Sequence, residues 1–410
     1  MPTTDQLHHY AEVLLRIGLH IQPGQPMHII SAPLETAEFV RILVAQAYDA
    51  GASTVDVDWE DPLSRRIRFE KEADEFLAQF PQWPVQRALE MCNHNTAFLY
   101  IDAENPDLLA GIDPRRIAMF HKARETALKP VDKYFMEDRV TWLVCSIPSK
   151  DWAMKMFPDE TDDVAIDKLW DVIFATMRMN EANPVDAWQD HLDGLEARAQ
   201  FLNGRHFKSL YYQAPGTNLT VELPDLHFWQ AARSVNGQGH WFVANLPTEE
   251  VYTLPKREGV HGVVRSTKPL AYGGVIIEGI QLTFENGRIV DYQAATGYDT
   301  LQELIETDEG SHYLGEVALV PMDSPISNMN TLFYNTLFDE NASCHLAIGK
   351  AYPTCLDGGK EMSKEDLERH GANDSLTHVD FMVGSSELNI DGMLADGTAV
   401  PLFRAGNWVI

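Results

Sequence analysis

Apolar residues in the first half of the chain alternate between helical spacing and short continuous runs. They recur every three or four positions from about Asp5 to Gly18, which predicts a helix there. Four strand-like runs are separated by stretches of helical spacing. The predicted strands are 27–31, which is short and buried, 54–59, 97–101 and 141–146, and the predicted helices include 37–47 and 115–128. Because strands that alternate with helices form parallel sheets, we expect an α/β amino-terminal domain with a mostly parallel sheet.

The pattern changes in the second half of the chain. Residues 159–203 are helical in spacing and rich in charge, which predicts a connector. Short strand-like runs follow at 210–213, 219–223, 274–279, 281–284 and 288–292. The last two flank Asn286-Gly287, a strong signal for a hairpin turn. A chain of 410 residues exceeds what one core usually supports, so we predict an α/β domain with its connector at 1–204 and a mixed α+β domain at 205–410.

The charge balance excludes several classes of partner. The chain has 61 Asp and Glu against 32 Lys and Arg, a net charge of −29, and such a surface repels nucleic acid and anionic lipid. No basic region followed by an apolar one marks the amino terminus, and no apolar run approaches the roughly 18 residues of a membrane span. The four cysteines have no C-x-x-C spacing, which is typical of a reducing compartment, so we expect a cytoplasmic protein.

Acidic and imidazole side chains in the last third of the chain lie within otherwise apolar segments. The candidates are Glu249, Glu250, Glu316, His345, Tyr352, His378 and Asp380. A carboxylate buried without a partner is costly, whereas a divalent cation offsets that cost and holds several such groups together. These residue types therefore indicate a metal site, provided that they converge.

Local sequence patterns show only for some of these residues whether they come together. In the strand predicted at 376–383, His378 and Asp380 point to one side, because residues two apart in a strand share a face. We predict a helix at 338–352 that carries His345 and Tyr352 on one face, but two helical turns separate them by roughly 10 Å. Glu316 starts a predicted strand, and Glu250 lies in a turn that leads into another. The spacing alone leaves convergence open.

Longer stretches of the second half resemble a known family. The stretches are GHWFVANLPTEEVYTLP (239–255), GVVRSTKPL (262–270), GEVALVPMDSPIS (315–327), FYNTLFDENASCHLAIGKAYP (333–353) and NDSLTHVDFMVGS (373–385). Together they resemble the aminopeptidase T / aminopeptidase S family of dinuclear metalloaminopeptidases. The resemblance implies a cytoplasmic, homodimeric exopeptidase that acts on peptides with a free amino terminus through a water activated by two divalent ions. Cobalt, zinc, magnesium and manganese are the candidate ions.

The resemblance also implies roles for individual residues. The expected metal ligands are Glu250, Glu316, His345, Tyr352, His378 and Asp380. Glu249, beside a ligand, is a candidate for proton transfer. Asp339 and Glu340 are expected to be charges at the amino-terminal end of the helix that bears His345. A phosphoesterase, for which Arg265 and Lys268 are the nearby basic residues, and a non-enzymatic metal-binding scaffold remain the alternative interpretations.

Overall fold

A computed structural model of the chain describes residues 2–103, 105–272 and 275–410, which form two compact units. The first unit comprises Met1–Asp190 and Arg233–Pro247, and the second comprises His191–Ala232 and Thr248–Ile410. The boundaries of the units differ from the predicted ranges. The boundary after Asp190 falls within the helix Pro184–Arg205, and residues 233–247 belong to the first unit. The division into two domains at 1–204 and 205–410 stays a prediction.

The α-helices of the described residues are, in chain order, α1 Thr4–Val13, α2 Ala37–Asp49, α3 Pro62–Lys71, α4 Asp74–Leu77, α5 Gln82–Asn93, α6 Pro114–Met136, α7 Lys150–Met156, α8 Asp162–Thr176, α9 Pro184–Arg205, α10 Tyr298–Ile305, α11 Pro325–Asn328, α12 Thr336–Glu340 and α13 Lys364–Arg369. A π-helical turn, Leu14–Gly18, extends α1. Among the described residues, no helix is long and apolar enough to cross a bilayer.

The strands of the same residues are β1 Met27–Pro33, β2 Val55–Glu60, β3 Ala97–Asp102, β4 Trp142–Ser146, β5 Ser209–Ala214, β6 Thr217–Glu222, β7 Arg233–Val235, β8 Trp241–Val243, β9 Val251–Thr253, β10 Val260–Arg265, β11 Leu270–Tyr272, β12 Val275–Ile277, β13 Gln281–Glu285, β14 Arg288–Gln293, β15 Leu314–Leu319, β16 His345–Gly349, β17 His378–Met382, β18 Asn389–Met393, β19 Ala399–Arg404 and β20 Asn407–Trp408. Gly274, at the start of the predicted strand 274–279, lies outside the described residues.

The first unit contains the predicted parallel sheet. Its strand order is β2-β1-β3-β4, and each neighbouring pair is parallel. The returning segment joins the β4 edge, where the Val144 N–H donates to Ala244 O at 2.7 Å. An aromatic cluster of Tyr10, Phe39 and Trp170 packs helices α1, α2 and α8 together. The α/β prediction for the first half is therefore confirmed.

The second unit is built on antiparallel sheets, as the strand-like runs predicted. Its large sheet has the order β14-β13-β10-β6-β5-β18-β19-β20, and a small sheet has the order β17-β16-β15-β9. The predicted hairpin is formed by β13 and β14, and both turn residues, Asn286 and Gly287, have positive φ angles, of 48° and 79°. Asn-Gly suits a two-residue hairpin turn because asparagine tolerates, and glycine freely adopts, these angles.

The helix predicted at 338–352 is wrong. A short helix, α12, ends at Glu340, and His345–Gly349 forms β16, in the interior of the small sheet between β15 and β17. All five residues of β16 are buried, and a short buried apolar run has no periodicity that separates a strand from a helix. Long-range pairing with β15 and β17 decides its conformation.

Candidate metal centre

Strand register in the small sheet places the candidate side chains on one face. Glu316 on β15 pairs with Ala347 on β16, which pairs in turn with Asp380 on β17. Directly paired residues share a face, as do residues two apart, so His345 and His378 lie on the same face as these three. Ala347, between the two carboxylates, is small enough to leave the space above the sheet open.

The opposite face of the small sheet is apolar. Val317, Leu346, Ile348 and Phe381 alternate with the polar residues and belong to the buried core of the second unit. This alternation fixes the register, because a slip of one residue would place the acids in the apolar core and apolar side chains in the polar cluster. Folding of the apolar face therefore positions the polar face.

Glu250 reaches the same face from the adjacent strand. It immediately precedes β9, in which Tyr252 pairs with Ala318, and Ala318 pairs with His345. Glu250, two residues before Tyr252, therefore faces His345, and its Oε2 lies 3.3 Å from His345 Nε2. The expected convergence from distant parts of the chain is thus present for these two residues.

Glu316 connects two groups of potential ligands. Its Oε1 lies 3.6 Å from His345 Nε2, and its Oε2 lies 3.4 Å from His378 Nε2. Asp380 Oδ1 lies 3.8 Å from the first of these nitrogen atoms and 3.6 Å from the second. One group therefore consists of Glu250, Glu316 and His345, and the other of Glu316, His378 and Asp380, each with ligand atoms within 4.8 Å of one another.

Backbone carbonyls orient both imidazoles. His345 Nδ1 lies 3.2 Å from Ser343 O, and His378 Nδ1 lies 2.7 Å from Lys350 O. A proton on each Nδ1 is donated to these carbonyls, so that Nε2 faces the carboxylates. This arrangement is common for metal-binding histidines, because the second hydrogen bond fixes the tautomer and the ring orientation.

The buried acids require positive charge. Burial raises the pKa of Glu250 to about 8. It also raises the pKa of Asp380, against the charges of the two imidazoles. Burial acts upward on the pKa of Glu316 as well, but hydrogen bonds from His345 and His378 bring it down to about 2. Burial acts downward on the pKa values of His345 and His378, yet the surrounding carboxylates raise both to about 10.

The donor set fits a divalent cation. Asp380 Oδ1 is buried and has no hydrogen-bond partner in the described structure. Such an acceptor is costly unless a cation satisfies it. Carboxylate and imidazole ligands together suit zinc and other first-row divalent metals.

Glu340 is an acidic neighbour of the cluster whose role sequence reasoning missed. Its expected position ahead of a helix bearing His345 is wrong, because α12 ends at Glu340 and β16 follows. Burial raises the pKa of Glu340 well above its usual value, and the charges of Asp380 and Glu250 raise it further. An acidic residue five positions before a candidate ligand, His345, was the available signal.

Asp339 has a structural role at the start of α12. Its carboxylate accepts the N–H groups of Phe333 at 2.8 Å and Asn335 at 3.1 Å. It therefore stabilises the first turn of a helix, although this helix is not the predicted one. Burial raises the Asp339 pKa to about 7.

Tyr352 lies beside the cluster but not on a helix with His345. Its ring centroid lies 4.9 Å from that of His378. Burial raises the pKa of Tyr352 well above 10, and the nearby charges of Glu316 and Asp380 add to the effect. The phenol therefore keeps its proton unless a cation lies against its oxygen.

Glu249 faces a different environment from Glu250. Its buried carboxylate Oε2 lies 3.5 Å from Nε2 of His191 on α9. Burial lowers the pKa of Arg198, also on α9, and the charge of Glu249 opposes that shift. Consecutive residues of an extended segment point to opposite sides, which explains why Glu249 faces α9 while Glu250 faces the cluster.

Gly349, at the end of β16, lets the strand carrying His378 approach closely. Its φ angle is +111°, and a Cβ there would lie 2.1 Å from Thr377 O. We expect Gly349→Ala to lower the free energy of unfolding by about 2 kcal/mol, through overpacking and backbone strain. Urea denaturation measures the loss. Gly397 is the control, because its φ is +83° but nothing lies within 4 Å of an added Cβ. Equal losses in both variants would contradict a role for the contact with Thr377.

Comparison with known proteins agrees with this geometry. The family model described as thermophilic metalloprotease (M29) matches residues 3–408. The chain is 51% identical to aminopeptidase AmpS of Bacillus subtilis over 99% of this chain and 98% of that protein. It is 47% identical to aminopeptidase 2 of Geobacillus stearothermophilus over 98% of this chain and 97% of that protein. The structure of wild-type AmpT from Thermus thermophilus has a TM-score of 0.93 and 38% identity, covering 99% of both chains. The chain therefore belongs to the thermophilic metalloprotease (M29) family.

Proposed function

We propose that this protein is a metal-dependent aminopeptidase that releases amino-terminal residues from peptides. The observation that carries the proposal is the shared carboxylate of Glu316, which presents one oxygen to each of the two imidazoles. A bridging carboxylate between two ligand groups is what a pair of catalytic metal ions requires. The names of the relatives indicate peptides as the substrates.

Two divalent ions would be held by six residues. We propose that these ligands are Glu250, Glu316, His345, Tyr352, His378 and Asp380, and that Glu340 adds a further carboxylate nearby. When bound, the ions would supply Lewis acidity, polarising the scissile carbonyl and lowering the pKa of the attacking water. The family resemblance suggests cobalt, zinc, magnesium or manganese.

The amino end of a peptide suits the proposed site. The carboxylates of the cluster are proposed metal ligands, so they are not available to pair with a substrate ammonium. The neutral α-amino group is a nitrogen donor that every peptide substrate carries, and a divalent ion held in the cluster would accept it as a ligand. This contact would place the first peptide bond next to the cluster.

Hydrolysis of an aminoacyl-p-nitroanilide tests the proposed function. We expect release of p-nitroaniline by the purified protein, loss of that activity after chelation, and recovery when zinc or cobalt is added. Metal analysis of the parent, compared with Glu316→Ala and His378→Ala, counts the ions. Full activity after exhaustive chelation would overturn the proposal.

The alternative functions receive no support from the site. A phosphoesterase needs basic residues around its ions, whereas the groups that surround this cluster are carboxylates, which repel phosphate. Lys268 interacts instead with Asp339. A scaffold would bind two ions without releasing amine, and the p-nitroanilide assay separates that outcome.

Proton transfer by Glu249 stays a prediction. Because the Glu249 carboxylate contacts His191 on α9, the competing role is to hold the Glu249 segment against that helix. We expect Glu249→Gln to reduce kcat about 10²-fold if the carboxylate moves a proton, because general acid-base catalysis contributes about this much or more. The measurement is kcat with a p-nitroanilide substrate. Full turnover by the variant would remove Glu249 from the catalytic machinery.

We also propose that the protein acts in the cytoplasm as a homodimer. All four cysteines are buried and none of them forms a disulfide, which suits a reducing compartment. The dimer rests on the family resemblance. Sedimentation equilibrium tests it, because a dimer has twice the mass of one chain.

A further inference from the structure

Asn341 connects two segments that carry acids of the cluster. Its side chain is fully buried and directly follows α12. Oδ1 accepts the N–H of Glu249 at 2.8 Å, and Nδ2 donates to Leu337 O at 3.0 Å. Both polar atoms of the amide group are therefore used, one on each segment.

Each of the two connected segments carries an acid next to the connection. Glu250 follows Glu249, and Glu340 precedes Asn341, so the hydrogen bond from Glu249 N–H to Asn341 lies one residue from each acid. A hydrogen bond between buried groups makes a favourable net contribution, and it is costly to leave one of its partners unsatisfied.

The hydrogen bond to Asn341 is one of two contacts that hold the segment preceding Glu250. Thr248 O lies 2.9 Å from His191 Nε2, which fixes the preceding residue to α9. The bond from Glu249 N–H to Asn341 fixes the same segment from the α12 side. Glu250 is thus placed between an anchor on α9 and an anchor at the end of α12.

We propose that Asn341 is a positioning residue that holds the Glu249-Glu250 segment against the end of α12, so that Glu250 faces His345 in the proposed ion site. The inference rests on the proposed metal centre and deepens it. Asn341 acts through the Glu249 backbone and does not touch the substrate. Its loss should therefore change ion affinity and coordination before it changes anything else about the reaction.

Cobalt titration of chelator-treated full-length protein tests the proposal, with visible absorption as the readout. Asn341→Leu keeps most of the side-chain volume but removes both hydrogen bonds. We expect it to raise the Kd for Co²⁺ by about 10- to 100-fold, the usual cost of losing an orienting partner, and to alter the absorption band. A purely structural role would lower the melting temperature without altering the band of the folded protein.

Asn341→Asp provides a second test and serves if the leucine variant does not fold. Burial beside other carboxylates favours the protonated form of this aspartate, which, like the amide, accepts the Glu249 N–H and donates to Leu337 O, so we expect a Kd within about threefold of the parent value. Asn236→Ala is the matched control, because Asn236 is also buried but bonds to Thr141 in the first unit. The control should bind Co²⁺ like the parent.

The outcomes distinguish this inference from the proposed function. If the parent protein binds no Co²⁺ and releases no p-nitroaniline, the proposed function fails. If the parent does both and Asn341→Leu has the parental Kd and absorption band, the positioning role alone is overturned. An aspartate variant as impaired as the leucine variant would overturn the role assigned to Oδ1.

Discussion

Replacing Glu316 with glutamine is expected to reduce kcat by at least about 10³-fold, because this one carboxylate serves both proposed ions. Its two oxygen atoms face different imidazoles, 3.6 Å from His345 Nε2 and 3.4 Å from His378 Nε2. Glutamine keeps the shape of the side chain but offers one neutral oxygen in place of two charged ones. Both ligand groups are therefore impaired by a single substitution.

Metal content and kcat measured on the same preparations check this expectation. Glu316→Gln should bind less than one ion per chain, whereas His378→Ala should retain the ion held by Glu250 and His345. Glu222→Gln is the matched control, since Glu222 is a partly exposed carboxylate of the second unit that pairs with Lys256. Full metal content in Glu316→Gln would contradict a bridging role for this carboxylate.

Replacing His345 with alanine is expected to destabilise the metal-free protein by about 3 kcal/mol, because it leaves buried carboxylates without their compensating cation. The ring lies 3.3 Å from Glu250 and 3.6 Å from Glu316, and these acids with Asp380 raise its pKa to about 10. In the chelated protein His345 therefore carries a proton at neutral pH and offsets the charge of the cluster. Its removal also deletes a proposed metal ligand, so activity should be lost as well.

Urea unfolding in excess chelator measures the free energy of unfolding. His227→Ala is the matched control: His227 is a buried histidine of the second unit whose Nδ1 bonds to Pro224 O. It has no acid cluster around it, so its loss should cost only packing and one hydrogen bond, about 1 kcal/mol. Equal losses in the two variants would show that the carboxylates of the cluster need no compensation.

Most of the elements that local patterns predicted are present in the described residues. Strands β1 to β4 were predicted because each is a strand-like run between helical segments, and the β13–β14 hairpin because Asn-Gly suits its turn. Residues 338–352 were predicted as a helix, yet they contain α12 and β16. A five-residue apolar run carries too little periodicity to decide, so pairing with two neighbouring strands determined its conformation.

The sequence predicted which residues belong to the candidate site better than it predicted how they are arranged. His378 and Asp380 share a strand face, which spacing in one segment reveals. The approach of Glu316 to both imidazoles depends on the pairing of β15, β16 and β17, which spacing within one segment cannot show. Glu340 was misjudged for the same reason, because its predicted surroundings followed from a helix that does not exist.

The sequence by itself determined the two kinds of architecture, the acidic character and the residue types that can bind divalent ions, since these follow from composition and local periodicity. Only the tertiary structure decided which acids meet, and that Glu249 faces α9 while Glu250 faces His345. It also decided that Asn341 connects the segment carrying Glu249 and Glu250 to α12. The physical reason is that strand register and buried hydrogen bonds join residues far apart in the chain, and the free energy that selects them belongs to the packed core as a whole.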